Sequence, residues 1–202
     1  MLVLGLTGPS GAGKGVVGEV LRAKGITVLD TDKVYHLLIG GPSRCTEELR
    51  TAFGDEVISA NGGIDRRALA NIVFSGDAEE KIKKEKLNRI THRYVIEVCE
   101  GWLSEQETKG MRAAVIDAPL LIESELHLRC DYVIAVLAPR EVRLARIMMR
   151  DGIACEAANA RLSAQPEDAF YREHAQFVFC NDKTTAEARS FVTNLLTSLS
   201  LV

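Results

Sequence analysis

The 202-residue sequence predicts an α/β layered fold, a parallel sheet with crossover helices and a helical block inserted between its second and third strands. Two observations predict it. Short continuous apolar runs alternate with segments whose apolar residues recur at helical spacing, as strands buried on both faces require. The chain also opens on an apolar run, a glycine-rich turn and a helical pattern, in that order.

The opening run is Leu2 to Thr7, read as the first strand. Gly8, Pro9, Ser10, Gly11, Ala12, Gly13 and Lys14 follow with the G-x-x-x-x-G-K spacing of a phosphate-binding loop. Val16, Val17, Val20 and Leu21 then recur as on a helix that stops at Gly25. This order aims several backbone N–H groups and the positive end of a helix dipole at one point. The glycines permit positive φ and close approach of backbone to phosphate, and Lys14 adds a mobile cation. Position 15 is Gly15, where the pattern wants a hydroxyl residue to ligate Mg²⁺.

Ile26 to Leu29 reads as the second strand, Ala113 to Ile116 as the third, Tyr132 to Leu137 as the fourth and Phe177 to Phe179 as the fifth. In open parallel sheets ligands gather outside the carboxyl ends of the strands. Asp30, Asp32, Asp117 and Asn181 all follow strands. Each singly suits a helix cap or a polar turn. Three carboxylates beside a phosphate loop exceed what capping alone requires.

Residues 31–112 contain no convincing strand. Thr46 to Phe53 reads as helical, Gly54-Asp55 and Asn61-Gly62-Gly63 as turns, and Asp65 as the cap of a helix through Phe74. Asp77 begins a longer helix with an apolar stripe at Leu87, Ile90, Tyr94, Val98 and Trp102. Lys81, Lys83, Lys84, Glu85 and Lys86 form its solvated face. The expected division is a nucleotide-binding core of residues 1–40 and 111–202 and a helical insert of residues 41–110. After the fourth strand, Arg143, Arg146 and Arg150 share a helical face, and a second helix runs from about Cys155 to Gln165. A basic face is ordinarily just solvated. Beside a phosphate loop, this helix–turn–helix over about residues 140–166 fits a lid.

Composition sets bounds. Hydrophobic residues make up 47% and charged residues 26%, which suits a soluble globular protein. A net charge of −3 argues against general affinity for nucleic acid or membranes. No apolar run approaches the roughly 20 residues that span a bilayer, and the N-terminus has no secretory-signal pattern. The five cysteines are scattered and form no metal-ligand spacing. A cytoplasmic protein with free thiols is the expectation.

These residues together resemble the dephospho-coenzyme A kinases nearly end to end. The family's opening is matched by Gly5-Leu6-Thr7-Gly8 through Gly13-Lys14, and its D-x-D by Asp30-Thr31-Asp32 with Tyr35-His36-Leu37 beyond. Gly62 to Leu69 with Ile72-Val73-Phe74, Ile90 to Arg93, and Asp117 to Glu123 match three further segments. The lid pattern is matched by Arg146 to Asp151 and Ala158 to Gln165. The sequence departs from the family pattern at Gly15, Arg93, Gln176 and Asp182.

The resemblance implies a P-loop kinase core with a five-stranded parallel sheet, an inserted helical acceptor lobe and a helical lid. It implies ATP-dependent phosphorylation of the ribose 3′-hydroxyl of dephospho-coenzyme A, with Mg²⁺. The residues from Gly8 to Val16, with Arg146, Arg150 and Asn181, would bind nucleotide, and Lys14, Arg146 and the base Asp32 would carry catalysis. His36, Arg66, His92, Asp32 and Asp117 would meet the acceptor, Asp117 also being the candidate for Mg²⁺. Monomer or weak homo-oligomer is the expected state, with no nucleic-acid or membrane partner. Two alternatives stay open on the residues alone: another small-molecule or nucleotide kinase of this architecture, or an ATP-binding module that has lost transfer.

Overall fold

The computed structural model describes residues 1–182 and 184–201. Five strands, Leu2–Thr7 (β1), Thr27–Asp30 (β2), Ala113–Asp117 (β3), Tyr132–Leu137 (β4) and Phe177–Cys180 (β5), form one sheet in the order β2-β3-β1-β4-β5. Every pairing is parallel. The first strand therefore lies at the centre, flanked by β3 and β4, where the strand order reverses direction. Parallel α/β sheets open their ligand crevice at this point.

The chain divides into two compact units, Met1–Asp30 with Glu105–Val202, and Thr31–Ser104. In the sheet unit, Lys14–Ala23 (α1) and Thr185–Ser198 (α9) cover one face. Leu4, Leu6, Val17, Leu21, Val115, Ile134, Val136, Val192 and Leu196 are buried between them and the sheet. The other side of β4 packs Ala135 and Leu137 against Ile122 and Tyr171. A Cβ on Gly5 would lie 2.5 Å from Leu121 Cδ2, so any side chain there would force Leu121 to shift. At the N-terminal end of β5, Gln176 accepts from the Val133 N–H through its side-chain oxygen at 2.8 Å, and so extends the β4–β5 ladder.

The helical unit contains Thr31–Ile39 (α2), Arg44–Phe53 (α3), Arg66–Val73 (α4) and most of Glu80–Thr108 (α5). Its own core joins Ile39, Leu49, Phe53, Val57, Ile64, Leu69, Val73, Ile90 and Tyr94. Helix α2 groups with this unit, ten residues before the boundary expected near residue 40, because Tyr35, Leu38 and Ile39 pack into that core. Local caps start its helices. Ser43 accepts from the Thr46 N–H at 3.0 Å and Thr46 returns the bond to the Ser43 N–H, a reciprocal capping box. Asp65 accepts from the N–H groups of Arg67 and Ala68 at 2.9 and 3.0 Å and starts α4.

Three expectations need correction. Asp32, whose place after the second strand suits a helix cap, does not cap one; α2 starts at Thr31, directly from β2, and Asp32 lies in its first turn. The long helix begins at Glu80 rather than Asp77, whose carboxylate instead accepts from the Glu79 N–H in the preceding turn. Val98 is 38% exposed while its neighbour Cys99 is fully buried, so the buried stripe of α5 drifts away from a strict three-and-four spacing. Two helices enter here for the first time, Asp168–His174 (α8) and α9. The capping box of Thr184 and Glu187 marks the start of α9 and is visible as T-x-x-E in the sequence. At seven residues α8 is too short to show a period. Helices Arg140–Asp151 (α6) and Cys155–Ser163 (α7) occupy the expected lid segment.

Candidate active site

The glycine loop leaves β1 at the carboxyl edge of the sheet and enters α1 through Gly13, whose φ of 89° is left-handed. Gly8 and Gly11 also hold positive φ, 144° and 78°. The close approaches here are backbone to backbone. A Cβ on Gly8 would lie 2.0 Å from the Val136 carbonyl oxygen, and one on Gly11 would lie 2.7 Å from that of Arg143. No side chain fits at either position without moving a strand or a helix.

The loop has two chemically distinct sides. Its carbonyls are held by side chains. Arg146 Nη1 donates to the Gly11 and Ala12 oxygens, each at 3.2 Å, and Arg143 Nε donates to Ser10 O at 3.1 Å. The buried Asn181, just past β5, donates from Nδ2 to Ala12 O at 2.8 Å. By contrast, the N–H groups of Gly13, Lys14 and Gly15 meet no protein acceptor among the described residues. With the carbonyls engaged by donors, the remaining field of the loop is that of its amides and the helix dipole, which is attractive to an anion. Lys14 Nζ reaches back over the loop to Gly8 O at 3.5 Å. The arrangement is a cradle for phosphate groups.

Around it, Arg150 donates to Ser10 Oγ at 3.2 Å and to both oxygens of Asp151, at 2.7 and 3.0 Å. Asp151 also pairs with Arg161 from α7, so one carboxylate holds a guanidinium from each of α6 and α7. Hydrogen bonds from them keep it below the ordinary Asp range. Thr7, fully buried, donates to the Pro119 carbonyl at 3.3 Å and ties the start of the loop to the turn after β3. Asp117 ends β3 opposite Leu6, with Asp30 beside it in register on β2. Its Oδ2 lies 3.8 Å from where a Gly18 side chain would begin, alongside α1.

The structure thus brings together the residues from Gly8 to Val16 with Arg146, Arg150, Asn181 and Asp117, all in the sheet unit. Asp32, His36, Arg66 and His92 belong to the helical unit. Asp32 and His36 are both exposed and lie one turn apart on α2. Arg66 is the first residue of α4, beside the half-buried Tyr35, whose hydroxyl is pushed above its ordinary pKa by burial and drawn back by that guanidinium. His92 is partly buried in α5, and burial lowers its imidazole below the usual 6.5. Arg93 pairs with Glu48, and Tyr94 Oη donates to the same carboxylate at 2.9 Å.

Position 15 is open. Nothing lies within 4 Å of a Cβ built on Gly15. A hydroxyl side chain would fit there, and so would a water. Mg²⁺ prefers oxygen ligands and keeps several waters, commonly taking one or two carboxylates beside substrate phosphates. The Asp117 carboxylate near α1 and an open position 15 fit that requirement.

Two residues in the loop's shell carry no binding role in the sequence reading: Arg143 and Gln165. Gln165 Oε1 accepts from the Ser10 N–H at 3.1 Å. The spacing of Arg143, Arg146 and Arg150 placed them on one helical face, yet no local pattern could show that Gln165 meets a residue 155 positions away.

Comparison with known proteins gives the family and the fold. The family model for CoaE, dephospho-CoA kinase, matches residues 2–187. A dephospho-CoA kinase of Moorella thermoacetica is 37% identical over 169 residues, covering 83% of this chain and 78% of the relative. That of Geobacillus kaustophilus is 35% identical over 191 residues, covering 93% and 92%. A crystal structure from Thermus thermophilus superposes with a TM-score of 0.81 at 31% identity, over 98% of this chain and 97% of the other. A dephospho-CoA kinase structure from Campylobacter jejuni gives 0.70 at 26% identity, over 98% and 96%. A shikimate kinase from Bacteroides thetaiotaomicron, 16% identical with a TM-score of 0.57 over 99% of each chain, shares the fold. The chain is a member of the dephospho-CoA kinase family.

Proposed function

We propose that this chain transfers the terminal phosphoryl group of ATP to the ribose 3′-hydroxyl of dephospho-coenzyme A, giving coenzyme A and ADP. The observation that carries the reading is the two-sided loop, its carbonyls held by Arg143, Arg146 and Asn181 and its amides left for phosphate. Phosphoryl transfer asks the protein chiefly for positioning and charge neutralisation. The amides of Gly13, Lys14 and Gly15 and the Lys14 ammonium hold the β- and γ-phosphoryl groups. Pro9 and Ala12 shape the turn between the glycines.

Arg146 and Arg150 offset the charge that spreads over the transferring group. Asp32 orients the 3′-hydroxyl and takes its proton as the oxygen attacks phosphorus. Its support is a solvent-exposed carboxylate immediately beyond the carboxyl end of β2. His36, Arg66 and His92 supply contacts to the acceptor, and Asn181 stands by the adenine as well as under the loop. Asp117 would hold Mg²⁺, with water where a hydroxyl side chain is missing at Gly15, and the ion would supply further neutralisation of the phosphoryl oxygens. We place the reaction in the cytoplasm and treat the enzyme as a monomer or weak homo-oligomer. No helix among the described residues is long and apolar enough to cross a membrane.

One assay tests the reading. The protein is incubated with Mg-ATP and a panel of acceptors, including dephospho-coenzyme A and its 3′-deoxy analogue, with ADP release and product mass followed together. Transfer to dephospho-coenzyme A and none to the 3′-deoxy analogue is the expected result. ADP release that another small-molecule acceptor stimulates more strongly would overturn it.

A further inference from the structure

Ser10 is gripped on both sides of its residue. Its N–H donates to Gln165 Oε1 at 3.1 Å, its carbonyl accepts from Arg143 Nε at 3.1 Å, and Arg143 Nη2 donates to the same Gln165 oxygen at 3.0 Å. Three bonds close a ring through the glycine loop, α6 and the segment after α7. The Ser10 hydroxyl adds a fourth tie, accepting from Arg150 Nη2 at 3.2 Å.

The ring is costly to build. Arg143 is only 7% exposed, and an arginine buried that far gives up its hydration. Its charge is offset by the Asp168 carboxylate at 3.6 Å, at the start of α8. Burial dominates and lowers its pKa from the ordinary value. The phosphoryl-transfer scheme assigns neither Arg143 nor Gln165 a contact with nucleotide. The Gln165 side-chain oxygen accepts instead from Ser10 and from Arg143. The backbone of α6 also presses on the loop here, since a Cβ on Gly11 would lie 2.9 Å from Arg143 Cα.

Because its N–H is committed to Gln165, Ser10 holds the loop from outside and leaves phosphate to the amides that follow. The orientation of the Ser10 residue sets where Gly11 begins, and so where those amides point. We propose that Arg143 and Gln165 are positioning residues for phosphate binding, a clasp that fixes Ser10 and makes nucleotide affinity depend on how the lid segment is seated on the loop. This rests on the loop being the phosphate site.

Gln165 offers the cleaner test, since Arg143→Met could fail to fold. Full-length wild type, Gln165→Met and Gln165→Glu are compared by calorimetric titration with ADP. KM for dephospho-coenzyme A and thermal melting are measured alongside. Gln165→Met removes the acceptor and should weaken ADP binding about tenfold, the loss expected for a hydrogen bond to a charged group. Its KM for dephospho-coenzyme A should stay within about twofold. Gln165→Glu retains an oxygen acceptor for both donors and should hold ADP within about threefold of wild type.

ADP binding by Gln165→Met equal to wild type would overturn the clasp. So would an equal loss in Gln165→Glu, or a loss shared with the acceptor and tracking a lower melting temperature. Wild type that fails to bind ADP would instead remove the phosphate-loop reading itself, and the clasp with it.

Discussion

The two units build their functional surfaces from different material. In the sheet unit, recognition is made of backbone: amides of a glycine loop whose shape is forced by positive φ at Gly8, Gly11 and Gly13. Side chains from distant positions, Arg143, Arg146 and Asn181, hold its carbonyls. In the helical unit, the residues assigned to the acceptor are side chains displayed on three helices, Asp32 and His36 on α2, Arg66 on α4 and His92 on α5. A backbone site needs particular residues at fixed spacing, because few residues adopt its conformation. A side-chain site on a helix surface tolerates many spacings and leaves a fainter trace.

The contrast can be broken or sharpened by mutation. Lys14→Ala should give the largest effect, a loss of about 10³-fold in kcat/KM for ATP, because it removes the ammonium that the loop itself supplies. Steady-state kinetics with ATP varied will measure it, and unchanged kinetics would refute the phosphate-loop assignment. Asp32→Asn should lower kcat by at least about 10²-fold, the usual scale for a general base, with ADP affinity retained in a binding titration. Near-normal turnover would remove Asp32 from that role.

Effects on folding should be smaller. Ser43→Ala removes the capping box of α3 and should cost about 1 kcal/mol of stability in urea unfolding, with ADP binding unchanged. His92 carries a pH prediction. Its folded pKa lies below 6.5 because of burial, so above that pH it is neutral in folded and unfolded chains alike. As pH falls below 6.5, the unfolded chain takes the proton first, and stability declines until the folded pKa is passed. In unfolding experiments across that range, His92→Gln should show a shallower acid limb than wild type. Gly15→Ser should do least: no neighbour lies within 4 Å of its Cβ, so stability should hold. Replacing a metal-bound water by a hydroxyl should lower the Mg²⁺ needed for half-maximal rate about threefold. A higher Mg²⁺ requirement in this variant would count against the open-position account.

Much of this was legible in advance, for physical reasons. Continuous apolar runs marked all five strands to within a residue or so, because strands buried on both faces have no polar side to alternate with. The loop was legible because glycine spacing and Lys14 are themselves the chemistry. The carboxyl-edge positions of Asp117 and Asn181 followed from strand ends. Less legible was α8, whose seven residues show no period, and the buried face of α5, where Val98 turned outward and Cys99 inward. The contacts of Arg146, Asn181 and Gln165 with the loop were not legible at all. Each joins residues more than a hundred positions apart, where no local pattern reaches.

By itself, the order of residues determined where the strands and the longer periodic helices form, that an anion cradle follows the first strand, and that a mobile cation stands at its mouth. Those features depend on conformational preference and spacing within a few turns of chain. Only the tertiary structure decided which side of the cradle faces protein. The lid arginines and Asn181 take its carbonyls, and Ser10 is tied to α6 and Gln165, because hydrogen bonds between distant segments are chosen by packing rather than by neighbours in sequence.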